Sequence, residues 1–532
     1  MTEASTSAEP TPPPAHPIEQ EIAPGYQFQG AALELGGLMA DASTLTGTRI
    51  RIPLAMLNRH GLVAGATGTG KTKTLQLMAE QLSAAGVPVF AADIKGDLSG
   101  LAVPGEGGEQ VTARAASVGQ QWTAQGFPVE LFAIGGVGTG VPVRVTMAAF
   151  GPVLLAKVLG LNATQESSLE LVFHYAKQKE LPLVSLADLR AIVKFLASPE
   201  GKADLKELGG LSSATAGVIL RELIGFSDQG ADAFFGQPEL DTADFLRVVD
   251  GKGVISLLEL PNLQDRPALF STFLMWLLGD LFRDLPEEGD LDQPKLVFFF
   301  DEAHLLFDDA SEAFLDQIAQ TVRLIRSKGV GVFFVTQSPT DVPDEVLAQL
   351  GSRIQHQLRA HTPNDAKALK ATVSTYPHSA YDDLGQVLTS LGIGEAVVTV
   401  MSEKGAPTPV AWTRLRAPES LMDPAPAATA DGIVAASPLA SKYAAAPPTE
   451  SAEDLLAQRQ ADAAEKAEAE KSAKAGPEAG SKKEPQKKSD RGGAIRDAVL
   501  DNVDDVAAAI APHGKKQMAR SITNALKKVF RR

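Results

Sequence analysis

Residues 65–72 read Gly65-Ala66-Thr67-Gly68-Thr69-Gly70-Lys71-Thr72, an unbroken G-x-x-x-x-G-K-[ST]. No other stretch restricts the fold as much. Glycines this dense do not persist in a helix or a strand, so the segment must be a loop. The apolar run Gly61–Ala64 before it reads as a buried strand, Lys71–Ala84 after it as a helix, and residues 87–92 as a second buried strand. Strand, glycine loop, helix and strand make a βαβ unit, which predicts an α/β fold whose largely parallel sheet carries helices on both faces.

The loop also predicts chemistry. Glycines let consecutive backbone N–H groups turn inward around phosphate oxygens, at the start of a helix whose dipole favours negative charge. In that arrangement Lys71 reaches the β- and γ-phosphates and the Thr72 hydroxyl ligates Mg²⁺. The nucleotide-binding stretch is expected to comprise Gly65, Ala66, Thr67, Gly68, Thr69, Gly70, Lys71, Thr72 and Thr74.

A partner for this loop stands at Leu296-Val-Phe-Phe-Phe-Asp-Glu-Ala-His304. Its apolar run suits a strand buried on both faces and delivers Asp301 and Glu302 to the carboxyl edge, where open α/β sheets bind ligands. Asp301 is expected to hold the Mg²⁺ shell and Glu302 to polarise an attacking water. A second carboxylate beside the metal aspartate points to hydrolysis rather than transfer onto a metabolite. The next apolar run, Val332–Gln337, ends in Gln337, which either senses the γ-phosphate or forms a turn before Ser338-Pro339. Asp93, Lys95 and Asp97, after the second strand, suit either the nucleotide site or a turn with capping carboxylates. Arg59, Arg323, Arg326 and Arg353 flank these strands. An arginine from a neighbouring subunit often stabilises γ-phosphate charge, although surface ion pairs account for such residues equally well.

Along the chain, residues 1–20 are Pro/Ser/Thr/Glu-rich and predict a disordered tail. A P-loop ATPase domain is expected over 21–417, with a mostly helical insertion at about 151–250. Residues 418–490, rich in Ala, Pro, Glu and Lys, read as a low-complexity linker. Residues 491–532 recover helical periodicity among Lys515, Lys516, Arg520, Lys527, Lys528, Arg531 and Arg532, which reads as a basic amphipathic helical tail.

Composition removes other functions. There is no cysteine, which excludes disulfides, thiol catalysis and Cys-ligated metals, and the 8 histidines are scattered. The net charge of −16 argues against a uniformly basic nucleic-acid coat, so contact with a polyanion would need local patches or the basic tail. The first residues lack the basic and apolar regions of a signal peptide, and the apolar stretch 269–282 is too short and too interrupted to span a bilayer. A cytoplasmic location is expected.

Taken together, LNRHGLVAG, GATGTGKT, KLVFFFDEAHLLF, TVRLIRSKGVGVFFVTQSPTDVP and QLGSRIQHQLRAHTPNDAKALK resemble the YjgR-type branch of bacterial HerA-like ATPases, within the wider HerA and FtsK superfamily. The resemblance spans roughly residues 35–416. It implies a RecA-like P-loop NTPase core, assembly into a homo-hexameric ring, ATP and Mg²⁺ bound between subunits, and translocase or helicase-like action on DNA. By similarity Lys71 and Thr72 form the P-loop pair, Asp301 and Glu302 are the metal-binding and catalytic acids, and Gln337 is the sensor. Arg59 and Arg326 match arginines that act in trans. HerA-type pumps carry an N-terminal barrel ahead of the P-loop, whereas only about 30 residues separate the Pro-rich tail from Asn58 here. A nucleotide-gated scaffold ATPase, whose tail recruits a protein or an anionic membrane, is the alternative.

Overall fold

In the computed structural model, residues 16–474 are described, except 206–207, 261–266, 308–311 and 445–449. Residues 1–461 form one unit. Of the second unit, 462–532, only the end of helix Ala452–Lys474 is described, so the expected basic tail, 491–532, lies outside the described residues.

The strands in chain order are β1 (Ala32–Ala40), β2 (Ser43–Pro53), β3 (Gly61–Ala64), β4 (Val89–Asp93), β5 (Val129–Ile134), β6 (Val141–Val143), β7 (Val248–Val249), β8 (Lys252–Gly253), β9 (Ile255–Glu259), β10 (Leu296–Phe300), β11 (Val330–Thr336), β12 (Ser352–Gln355), β13 (Glu395–Thr399) and β14 (Ala411–Leu415). All but the small β7–β8 hairpin join one 12-stranded sheet, in the order β2-β1-β14-β13-β12-β3-β11-β10-β4-β9-β5-β6. From β12 to β6 every neighbour is parallel, while β13, β14, β1 and β2 extend the sheet antiparallel. With the P-loop strand β3 separated from the acid-bearing β10 by β11, the core is RecA-like, as expected.

Alternation within the apolar strands supplies both faces. Phe298 and Phe300 of β10 pack into one core with Phe334, the insertion helices and helix Pro267–Asp284. Val297 and Phe299 point the other way, to a second core that holds Phe333, Val335 and Leu75, Met78 and Leu82 of the P-loop helix. Period-2 side-chain direction explains why a five-residue apolar run has no polar side. The insertion consists of helices Pro152–Val158, Ala163–Gln178, Leu186–Ala197, Pro199–Asp204 and Ser213–Asp228, stacked over the first core.

Two expected boundaries shift. Residues 16–20 are not tail: His16 caps a short helix, Pro17–Ile22, which buries Ile22 against the second core. Residues 418–443 are not linker. The Glu80 carboxylate accepts the backbone N–H groups of Glu419 (2.9 Å) and Ser420 (2.8 Å) and the Ser420 hydroxyl. Gln76 donates to Ser420 Oγ and to the Leu421 carbonyl, both at 2.7 Å. Further on, Leu439 and Tyr443 are buried in the first core, and Ala452 N–H donates to Asp188. Composition misleads here because the segment buries few side chains and is held mainly through its backbone.

Candidate active site

The glycine loop is seated between the ends of two strands. Gly65 N–H donates to the Thr336 carbonyl (3.2 Å) at the end of β11, and Ala66 N–H to the Gln357 carbonyl (2.8 Å) just beyond β12. Thr69 closes the turn by donating to the Ala66 carbonyl through its backbone (3.3 Å) and its hydroxyl (2.7 Å). Gly70 caps helix Lys71–Ala84 with φ +114°, a conformation that side chains other than glycine avoid. At Gly65 a Cβ would come within 2.4 Å of the His356 Cβ, so contact with β12 also demands glycine there.

His356 is fully buried beneath the loop, and Thr74 Oγ1 lies 2.9 Å from its Nε2. Burial holds its imidazole near pKa 4, hence neutral at physiological pH. Thr74, expected in the nucleotide-binding stretch, is therefore committed to His356 and to the Gly70 carbonyl (3.2 Å), and acts on the loop from below. Local sequence pattern assigns His356 no role. Its position under Gly65 depends on β12 pairing with β3, which no local pattern reveals.

Lys71 folds back over the loop, with Nζ donating to the Gly65 (2.8 Å) and Ala66 (3.4 Å) carbonyls. Burial pushes its pKa below the usual lysine range, opposed by Glu302 and, more weakly, by Asp301. These carboxylates sit at the same edge of the sheet. β10 pairs with β11 through Phe300 and Phe334, and β11 with β3 through Thr336 and Ala64. Carrying that register forward brings Glu302 level with Ala64, two strand spacings or roughly 10 Å across.

Asp301 is 1% exposed, and its Oδ1 accepts the Glu302 N–H at 2.9 Å, while Oδ2 has no hydrogen-bond partner. Burial, only partly offset by Lys95, pushes it up to about 6. Glu302 occupies the left-handed region at φ +47°, ψ 48°, which is costly for a residue with a side chain. Lys95 forms an ion pair with Glu302 Oε1, and His304 Nδ1 lies 3.4 Å from Oε2. Burial alone would raise this carboxyl, but Lys95, then His304 and Lys71, hold it below the ordinary carboxylate range. An ionised glutamate close to an orphaned aspartate oxygen and a buried lysine suits a general base beside a metal–phosphate group. The oxygen donors Asp301 and Thr72 fit Mg²⁺, which is bound by carboxylates, hydroxyls and phosphate rather than by a closed protein cage.

The ambiguous Asp93-Lys95-Asp97 group divides. Asp93 is a turn-former: its carboxylate accepts the N–H groups of Gly96 (2.7 Å), Asp97 (3.2 Å) and Leu98 (2.8 Å). Lys95 is the member that reaches the site. Glu259, at the end of β9 and paired in register with Asp93, escaped sequence reasoning. Burial, then Asp93 and Asp97, push it up to about 8, and its Oε1 has no partner.

Gln337 is exposed at the end of β11, on the edge that carries Glu302. Arg59 and Arg326 are at the opposite, amino edge. Arg59 ends the turn before β3, whose four residues put roughly 13 Å of strand between that turn and Gly65. Arg326 follows helix Glu312–Ile325 and precedes β11. Both flank the buried His60, whose pKa burial and these two cations keep down at about 4. Neither can serve the loop of its own chain. Arg323 is exposed, and Arg353 is engaged locally, donating to Thr375 Oγ1 (2.7 Å) above the Tyr376 ring.

The family model described as "Helicase HerA-like C-terminal" matches residues 40–532. The DNA double-strand break repair helicase HerA of Saccharolobus solfataricus is 20% identical over 391 residues, covering 72% of this chain and 69% of that protein. Among solved structures, the bacterial conjugative coupling protein TrwB is 15% identical with a TM-score of 0.49, covering 76% of this chain and 93% of that one. VirB4 of Thermoanaerobacter pseudethanolicus is 14% identical with a TM-score of 0.46, covering 73% and 97%. No helix among the described residues is long and apolar enough to cross a membrane.

Proposed function

This chain belongs to the HerA-like C-terminal helicase family, and from that premise we propose that it is a Mg²⁺-dependent ATPase that works as a ring, most simply a homo-hexamer, and moves or remodels DNA. The observation that carries the reading is the convergence of Lys71, Asp301 and Glu302 on one edge of the sheet. Backbone N–H groups of Thr67, Gly68, Gly70, Lys71 and Thr72 cradle the phosphates of ATP, and Lys71 exchanges its carbonyl contacts for phosphate oxygens. Thr72 and Asp301 would hold Mg²⁺, which when bound neutralises charge on the β- and γ-phosphates. Glu302, kept ionised by Lys95, accepts a proton from the attacking water, and Gln337 orients that water from the neighbouring strand end. Arg59 and Arg326, remote from their own loop, complete the γ-phosphate shell of the adjacent subunit. That arrangement makes turnover depend on assembly.

The DNA part of the reading draws on the helicase HerA of Saccharolobus solfataricus. The test is ATP turnover by the purified full chain with and without duplex DNA. Stimulation by DNA is expected, with Lys71→Ala and Glu302→Gln each lowering turnover by about 100-fold or more and only Glu302→Gln retaining ATP. Turnover indifferent to DNA, with no ring seen by electron microscopy, would remove the motor and leave a bare ATPase.

A further inference from the structure

His60, between Arg59 and strand β3, has φ +62° and ψ 171°. Only glycine adopts that region readily, so a residue with a side chain stays there only where its surroundings force it. The buried imidazole supplies one such tie, with Nδ1 accepting the Val332 N–H of β11 at 3.0 Å. Carried back one residue, the β3–β11 register sets His60 opposite Val332. The ring therefore stands in for a main-chain acceptor where the chain turns into the sheet.

On the other side, β12 takes the backbone. Gly351 N–H donates to the Arg59 carbonyl (2.8 Å) and Ser352 N–H to the His60 carbonyl (3.1 Å), while His60 N–H closes the turn onto the Leu57 carbonyl (3.2 Å). The turn Leu54–Arg59 lies so close to β11 that a Cβ at Gly331 would come within 2.6 Å of the Leu57 carbonyl oxygen. Burial keeps the ring neutral at physiological pH, as Nδ1 must be to accept. The ring proton is then on Nε2, which is buried with no hydrogen-bond partner among the described residues. A strained backbone and an unpaired donor meet in one residue, and the tie to Val332 is what they are set against.

These contacts fix the backbone of Arg59 but not its guanidinium. Its ion pair with Asp290 is 3.8 Å long, and the aspartate side chain is fully exposed, so the pair holds it weakly. A rigid stem with a free head suits an arginine that must reach a reacting group on another chain, where a misplacement of about 1 Å costs on the order of 100-fold in rate.

We propose that His60 is the positioning residue for Arg59, locking the stem from which that guanidinium reaches the nucleotide of the adjacent subunit. The proposal rests on the trans-acting role given to Arg59 above and adds the device that aims it.

ATP turnover and ATP binding by the full chain, alone and in mixed oligomers, test this. His60→Gln places its amide where Nε2 was and leaves the Val332 N–H without its acceptor. It is expected to lower kcat about tenfold or more, with ATP affinity within about twofold of wild type. His60→Asn, whose amide oxygen falls where Nδ1 was, should restore turnover. Mixing His60→Gln with Lys71→Ala should regain turnover as Arg59→Ala does, because the sound loop of the His60 variant then faces an undisturbed Arg59 on the lysine variant. Wild-type turnover in His60→Gln, loss of ATP binding, no regain on mixing, or a His60→Asn no better than His60→Gln each overturns the positioning role while the ATPase reading stands. If Arg59→Ala itself shows no regain in the same mixture, the trans arrangement falls and this inference falls with it.

Discussion

The Lys95 ammonium forms an ion pair with the Glu302 carboxylate across the ends of β4 and β10, joining two segments more than 200 residues apart in the chain. In the proposed hydrolysis Glu302 is useful only while ionised, and burial at this site works against ionisation. Lys95 supplies the compensating charge.

Lys95→Ala should therefore raise the Glu302 pKa. The acid limb of the pH–rate profile for ATP turnover should move to higher pH, with kcat reduced more than KM changes. Lys95→Arg, which keeps the charge, should restore the limb. A purely structural role would lower turnover at every pH alike, and the profile separates the two.

Arg59 and Lys71 occupy opposite edges of one sheet, so an arginine acting in trans can be tested by mixing. Arg59→Ala alone and Lys71→Ala alone should each lose most turnover, by about 100-fold for the lysine. Mixed oligomers should regain part of it, because an Arg59→Ala loop can then face an intact Arg59 on a Lys71→Ala subunit. Phosphate release as a function of mixing ratio reads this directly. A flat response would argue for Arg59 as a surface group only.

The buried pair Glu259 and Asp93 predicts an unusual pH dependence of stability. Glu259 is pushed up to about 8 and Asp93 up to about 7, chiefly by burial. Between the ordinary carboxylate pKa and these values, the folded chain keeps protons that the unfolded chain releases. Stability therefore falls as pH rises through that window and levels off above it. Glu259→Gln should be close to wild type in thermal stability near pH 4.5. Its advantage should grow to on the order of 3 kcal/mol by pH 9. Melting curves across that range check the sign.

Residues 417–425 are held to the P-loop helix by Glu80 and Gln76, with Gln120 exchanging hydrogen bonds with both backbone groups of Ala417. Truncation after Ala417 should destabilise the chain, because the Glu80 carboxylate would stay buried without its donors, a loss of about 3 kcal/mol or more. Glu80→Gln should soften that loss. Limited proteolysis and melting of the truncated chain would show it.

Local chemistry was readable from sequence. A glycine loop with Lys71, and an apolar strand ending in Asp301 and Glu302, are contiguous patterns whose residue types are imposed by backbone geometry and by burial on both faces. The alternation of strands with helices likewise announced a parallel α/β sheet, because side-chain periodicity is a short-range property. Strand order is not short-range. Only the tertiary structure, by setting β11 between β3 and β10 and laying β4 and β12 alongside, decided that Lys95 meets Glu302, that His356 underlies Gly65, that Glu259 joins Asp93, and that Arg59 and Arg326 face away from their own loop. It also decided that an Ala/Pro-rich stretch is part of the body, since backbone groups captured by Glu80 leave no imprint on composition. Contacts between residues far apart in the chain depend on which strands pair. That choice is made by the summed packing of two large cores, which no single segment encodes.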